Sequence, residues 1–142
     1  MASSPLRDPV EGGFFRYSTR RDWGEPHWER MLYDNALLLT AYSRLALLEP
    51  AETVGGGTDE TAGGAGRGPA PALGPLEVAA GIAGFLIARL RTPRGAFGSA
   101  QDSESTIDGR RVEGGFYALD AAERARHDAP PCLLYTSPSP RD

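Results

Sequence analysis

The 142-residue chain holds a single cysteine, Cys132, which rules out an internal disulfide, a CxxC pair and a thiolate metal site built within it. Its two histidines, His27 and His127, and its scattered carboxylates show no metal-ligand spacing, so neither a metal nor a cofactor is expected. Met1 is followed by a polar, proline-broken stretch, MASSPLRDPVEGG, and not by the apolar run of a signal peptide. The longest uncharged apolar stretch, Val78 to Ala88, falls short of the roughly 20 residues that cross a bilayer. A cytoplasmic location without membrane attachment is the expectation. A basic face is also missing: the formal charge is -4 and the pI is about 5.2. Arg16, Arg20, Arg21 and Arg30 cluster, but Asp22, Glu25, Glu29 and Asp34 interleave with them, a pattern of local ion pairs that points away from nucleic acid.

Hydrophobic residues make up 40% of the chain, enough for one ordinary core, while Gly 18 and Pro 12 leave much of it to loops. Aromatic and charged residues concentrate in GGFFRYSTRRDWGEPHWERMLYDN, residues 12 to 35. Phe14, Phe15, Tyr17, Trp23, Trp28 and Tyr33 lie there among arginines and carboxylates. That mixture suits a cavity wall, where rings offer a flat apolar face and charged groups orient a polar ligand.

In chain order, residues 1 to 11 read as an irregular lead-in, since Pro5 and Pro9 block helix. GGFFRYS, residues 12 to 18, reads as a brief strand or extended turn, with Phe14 and Arg16 opposite Phe15 and Tyr17. A long helix is expected from Pro26 to about Leu48, because proline suits the first helical position and no glycine or proline follows until Pro50. At 1.5 Å per residue it would run roughly 33 Å, and its wide apolar arc would be buried on more than one side. On it, Arg30 and Asp34 stand at i,i+4 and read as an ion pair. Residues 51 to 74 are glycine-rich with almost no bulky apolar side chain, a flexible inter-helix loop with no phosphate-binding pattern. Gly74-Pro75 with Glu77 in the first turn opens a second helix to about Leu90. Residues 94 to 105 and 112 to 119 are expected to pair as a hairpin with a longish loop containing Asp108-Gly109. Asp120 and Glu123 form a capping box for a third helix that runs towards Pro130. His127 reads as exposed.

The last eleven residues, CLLYTSPSPRD, fit one reading frame of the transposase mosaic end and adapter used in sequencing libraries. Residues 132 to 142 are therefore read as adapter read-through and set aside from fold reasoning, which implies a product cut off by the read.

The stretch GGFFRYSTRRDWGEPHWERMLYDNALLLTAY resembles a signature of the spermatogenesis-associated protein 20 family of thioredoxin domain-containing proteins. The matching positions include Gly12, Gly13, Phe14, Arg16, Tyr17, Ser18, Trp23, Pro26, His27, Glu29, Tyr33, Asp34 and Asn35. FGSAQDSES and EGGFYALDAAE resemble two further family motifs, with Gln101, Ser103 and Glu104 departing from the acidic pattern. The resemblance implies a mainly α fold with short β-hairpins: residues 12 to 131 as part of an incomplete α/α toroid, similar to N-acylglucosamine 2-epimerases and six-hairpin glycosidases. It further implies that the remaining barrel helices and a thioredoxin-like domain lie outside this chain, and that Met1 is an internal methionine.

On that resemblance the chain is expected to take part in carbohydrate chemistry or binding, with a small-molecule carbohydrate as ligand. The alternative is a non-catalytic binding or scaffold module that serves a redox domain. His27 is the expected general base, since imidazole titrates near neutral pH. Glu29 and Asp102 are the expected acid and base pair of a glycosidase-like site. Arg16, Tyr17, Trp23, Tyr33, Asp34 and Gln101 are the expected substrate contacts. Each has a plain structural reading as well: His27 satisfying a helix start, Asp102 and Glu104 capping turn amides.

Overall fold

A computed structural model describes residues 1–48, 73–127 and 130–135. Among these residues, seven short strands form three small antiparallel sheets beside three α-helices. Strand β1 (Tyr17–Ser18) pairs with β2 (Pro26–His27). Strand β3 (Arg30–Met31) pairs with β4 (Ala100–Gln101), which also pairs with β7 (Leu133–Leu134). Strand β5 (Glu104–Ile107) pairs with β6 (Arg110–Glu113). The helices are α1 (Leu32–Leu48), α2 (Pro75–Phe85) and α3 (Ala121–Arg126). This is a mixed α and β arrangement, and it overturns the expected mainly α toroid fragment. Among the described residues α1 and α2 pack as a helix pair, and strands two to four residues long make up much of the rest.

The largest local correction concerns the long helix. Residues 26 to 31 are extended, and helix begins at Leu32. Their backbone groups bond to other strands: Arg16 N donates to Glu29 O at 2.9 Å and Leu32 N to Ser99 O at 2.8 Å. An extended chain sends Glu29 and Arg30 to opposite sides, Glu29 to Arg16 and Arg30 to the buried Asp8, and those tertiary bonds override the helical propensity. The expected Arg30–Asp34 ion pair is lost with the helix. The burial of α1 also differs from expectation, since Leu37, Leu47 and Leu48 on it are exposed.

The second helix starts where expected: Gly74 N donates to the Glu77 carboxylate at 2.9 Å. It ends in a π-helical turn, Leu86–Leu90, closed by Arg91 N donating to Leu86 O. The third helix has the expected capping box. Glu123 N donates to Asp120 Oδ1 and Asp120 N to Glu123 Oε2, both at 2.8 Å. The hairpin of β5 and β6 turns tightly on Asp108 (φ 49°) and Gly109 (φ 76°), the two left-handed residues of a type I′ turn, so the loop is shorter than expected. Residues 116 to 118 form a 3-10 turn where strand was expected. His127, expected to be exposed, is half-buried with its ring 5.7 Å from Phe116. Most of the glycine-rich segment and the residues beyond 135 lie outside the described residues.

Two apolar clusters form the core. Leu6, Phe14, Val78, Ile82, Phe85, Leu86 and Leu90 make the first, against the inner side of α1. Phe15, Phe116 and Tyr117 make the second, with Trp28 and Leu119 at its edge. Each fully buried Phe or Ile contributes about 1.5–3 kcal/mol by leaving water. Consecutive residues Phe14 and Phe15 thus enter different clusters, as extended backbone requires. Gly13 makes the crossing possible: its φ is +73°, and a Cβ there would lie 2.4 Å from the Phe85 ring.

Candidate functional site

The hairpin of β1 and β2 carries three of the expected site residues, Tyr17, Trp23 and His27. Tyr17 and His27 are register partners, and their rings stack at 4.8 Å with an interplanar angle of 14°. Tyr17 is 48% exposed, so one face of its ring covers the imidazole while the rest of the side chain meets solvent. The His27 Nδ1 atom is buried and has no hydrogen-bond partner. At the hairpin tip Trp23 adopts a left-handed backbone (φ 62°), costly for a bulky residue, and leaves its indole 44% exposed. Asp22 Oδ1 stabilises that tip by accepting from Gly24 N at 3.0 Å.

Behind the hairpin lies a charged group on residues next to one another in space. Arg16 Nη1 donates to Glu29 Oε2 at 2.9 Å, with Glu29 itself almost wholly buried. Burial works against the Arg16 charge, but Glu29 and then Tyr33 outweigh it and hold the guanidinium above its ordinary value. Asp34, in the first turn of α1, completes the group. Burial raises its carboxyl above the usual range; Arg16 pulls it back and the Glu29 charge pushes it up again. The expected residues thus fall into two groups: Arg16, Glu29, Tyr33 and Asp34 interact with one another, while Tyr17 stacks on His27.

Gln101 and Asp102 sit elsewhere. Gln101 is buried, and its Oε1 accepts from Arg30 Nη2 at 2.5 Å. Asp102 Oδ1 accepts from Glu104 N at 3.1 Å, and its other oxygen lies 3.6 Å from Arg111. Among the described residues, no hydrogen bond or ion pair joins the Asp102 carboxylate to His27 or Glu29. Arg111 also pairs with Glu104 across the hairpin.

A buried charge cluster escaped the sequence reading, because residues 1 to 11 look like a tail. Arg30 is wholly buried, with its guanidinium 4.2 Å from the Phe85 ring and 4.9 Å from Tyr117. It thereby bridges the two apolar clusters. Arg30 Nη1 donates to Asp8 Oδ2 at 2.8 Å and to Gly12 O at 3.2 Å, and Nη2 pairs with Glu11. Arg124 Nη1 donates to the same Asp8 oxygen at 2.7 Å, while its Nη2 and Nε donate to the carbonyls of Tyr117 and Leu119. Partners so distant in sequence leave no periodic signal.

Among the described residues no three His, Cys, Asp or Glu side chains converge as metal ligands, and no helix is long and apolar enough to cross a membrane. No family model matches the chain. It is 34% identical over 140 residues to human spermatogenesis-associated protein 20, covering 97% of this chain and 15% of that protein. The mouse protein of the same name is 30% identical over 87% of the chain, and the rat protein 33% identical over 74%. The chain spans 11 to 15% of the length of these three relatives. Over most of its length, then, the chain is homologous to one segment of spermatogenesis-associated protein 20.

Proposed function

We propose that the surface formed by the β1–β2 hairpin and the first turn of α1 binds a carbohydrate and presents an acid–base pair to it. The carrying observation is the Arg16–Glu29 pair with Asp34 alongside it, flanked by the exposed rings of Tyr17 and Tyr33. Sugar rings have apolar faces that stack on aromatic side chains, and hydroxyl edges that need fixed donors and acceptors. Tyr17, Tyr33 and Trp23 offer the first; Arg16, Glu29 and Asp34 offer the second.

Acid–base chemistry requires two groups whose environments keep one protonated and the other not. Glu29 is charge-paired to Arg16, whereas burial and the Glu29 charge favour a proton on Asp34. In this reading Asp34 takes the acid role in place of Asp102, whose carboxylate serves the turn at Glu104 and Arg111. His27, its half-buried imidazole stacked on Tyr17, is the base on the hairpin itself.

The test is saturation-transfer NMR of this chain with glucose and N-acetylglucosamine. Transfer to the ring protons of either sugar, weakened by Tyr17→Ala, is the expected result. No transfer from the protein to either sugar at millimolar concentration would sink the proposal.

A further inference from the structure

A cavity lies beside the buried charge cluster, bordered by Glu11 and Arg124. It has a volume of about 320 Å³ and is lined by Glu11, Arg89 and Arg124, with walls of Gly84, Ala88 and Ala121. That volume falls at the small end of the range for small-molecule sites. Apart from Val10, the uncharged lining residues carry nothing larger than a methyl group, which leaves the space open.

The charges around it do not balance. Asp8 and Glu11 supply two carboxylates, and Arg30, Arg89 and Arg124 supply three guanidinium groups, an excess of one positive charge. Arg30 and Arg124 are held by Asp8 and by carbonyls. Arg89 reaches Glu11 Oε1 at 2.7 Å from a side chain that is 43% exposed, while Glu11 and Arg124 are 5% and 3% exposed. A net charge partly withdrawn from water is stabilised by a counter-ion that can reach it.

We infer that this cleft between α2 and α3 binds a small organic anion through a carboxylate or phosphate group, with Arg89 as its contact and the buried charge of Arg124 behind it. Guanidinium groups suit either oxyanion because their planar forks donate two parallel hydrogen bonds. The site is separate from the hairpin surface and rests on different residues.

Calorimetric titration with inorganic phosphate and with acetate, at ionic strength held constant with sodium chloride, tests it. Two variants divide the claim. Arg89→Gln removes the contact cation, and Ala88→Leu fills the cleft while leaving every charge in place. Both positions are exposed, so both variants should melt close to the wild type, and melting is measured alongside. Saturable binding of either anion, weakened at least about tenfold in both variants, which corresponds to about 1.4 kcal/mol, is the expected result. Phosphate alone or acetate alone would narrow the oxyanion without changing the site. Non-saturable heats, or binding that Ala88→Leu leaves intact, would overturn it, since the latter places the anion on surface charge outside the cleft.

Discussion

Arg30 and Arg124 meet on a single oxygen: both donate to Asp8 Oδ2, at 2.8 and 2.7 Å, and all three side chains are buried. One carboxylate thus fastens strand β3 and helix α3 to the N-terminal segment. Aromatic rings from both apolar clusters cover the arginines, with Phe85 over Arg30 and Phe116 over Arg124. The arrangement brings Leu6 and Asp8, from the irregular first eleven residues, into the core.

Asp8→Asn should therefore be among the most damaging single substitutions. It leaves two buried guanidinium groups facing a neutral amide, and breaking a buried pair in this way costs about 3–5 kcal/mol. Chemical denaturation should show the loss as a lower midpoint. A change within about 0.5 kcal/mol, the ordinary range for surface substitutions, would mean that the three groups do not meet.

Asn35 is the second fastening. Its Oδ1 accepts from Phe14 N at 2.7 Å, and its Nδ2 donates to Phe14 O and Met31 O at 3.0 and 2.9 Å. Asn35→Ala strands the buried Phe14 amide and carbonyl, at about 1–3 kcal/mol for each unsatisfied group. Asn35→Asp should be no better, since a carboxylate cannot donate to the two carbonyls. Amide exchange at Phe14 reads the effect directly, and it should accelerate in both variants.

Tyr117 should be silent in an alkaline titration. Burial pushes its phenol well above the ordinary value, an effect the nearby Arg30 only partly offsets. Its hydroxyl donates to Asp102 O at 2.7 Å. The native state therefore keeps a proton that the unfolded chain releases above its ordinary pKa of 10.0, so stability should fall as pH rises past that value. Of the five tyrosines, one should fail to ionise until unfolding, as followed by ultraviolet absorbance. Tyr117→Phe should leave the native-state titration unchanged and flatten the alkaline loss of stability.

Asp34 sets an opposite end of the pH range. Its folded-state carboxyl is raised above 3.8, first by burial, so the native state binds more protons than the unfolded chain just above that value. The sign follows: the contribution of Asp34 to stability is most favourable below 3.8 and declines as pH rises through the raised folded value. Asp34→Asn, which cannot ionise, should gain on the wild type in melting temperature between acid and neutral pH. A constant difference across that range would show that the carboxyl is not perturbed.

Much of the local structure was legible in the sequence because it rests on neighbouring residues. Glu77 reaching Gly74 N, the Asp120–Glu123 box and the turn residues Asp108 and Gly109 are all short-range chemistry. The extended path of residues 26 to 31 was not legible, because it depends on Ser99, Gln101 and Arg16, which propensity does not register. Pro26 at a helical first position and Pro26 in a strand read alike from the sequence. Within the site, the clustering of rings and charges at 12 to 35 marked Arg16, Tyr17, His27 and Asp34. It could not show that Arg30 turns inward to Asp8 while Glu29 turns towards Arg16.

The most direct measurement is the affinity of the chain for the sugar that gives the stronger saturation transfer, compared among wild type, Tyr17→Ala, Glu29→Gln and the distant Arg111→Gln. Base-free stacking on an aromatic face is worth on the order of 0.5–1.5 kcal/mol, so Tyr17→Ala should weaken binding by roughly threefold to tenfold. Glu29→Gln should weaken it further by freeing Arg16, and Arg111→Gln should leave it unchanged. Equal affinities in wild type, Tyr17→Ala and Glu29→Gln would contradict a carbohydrate site on the β1–β2 hairpin.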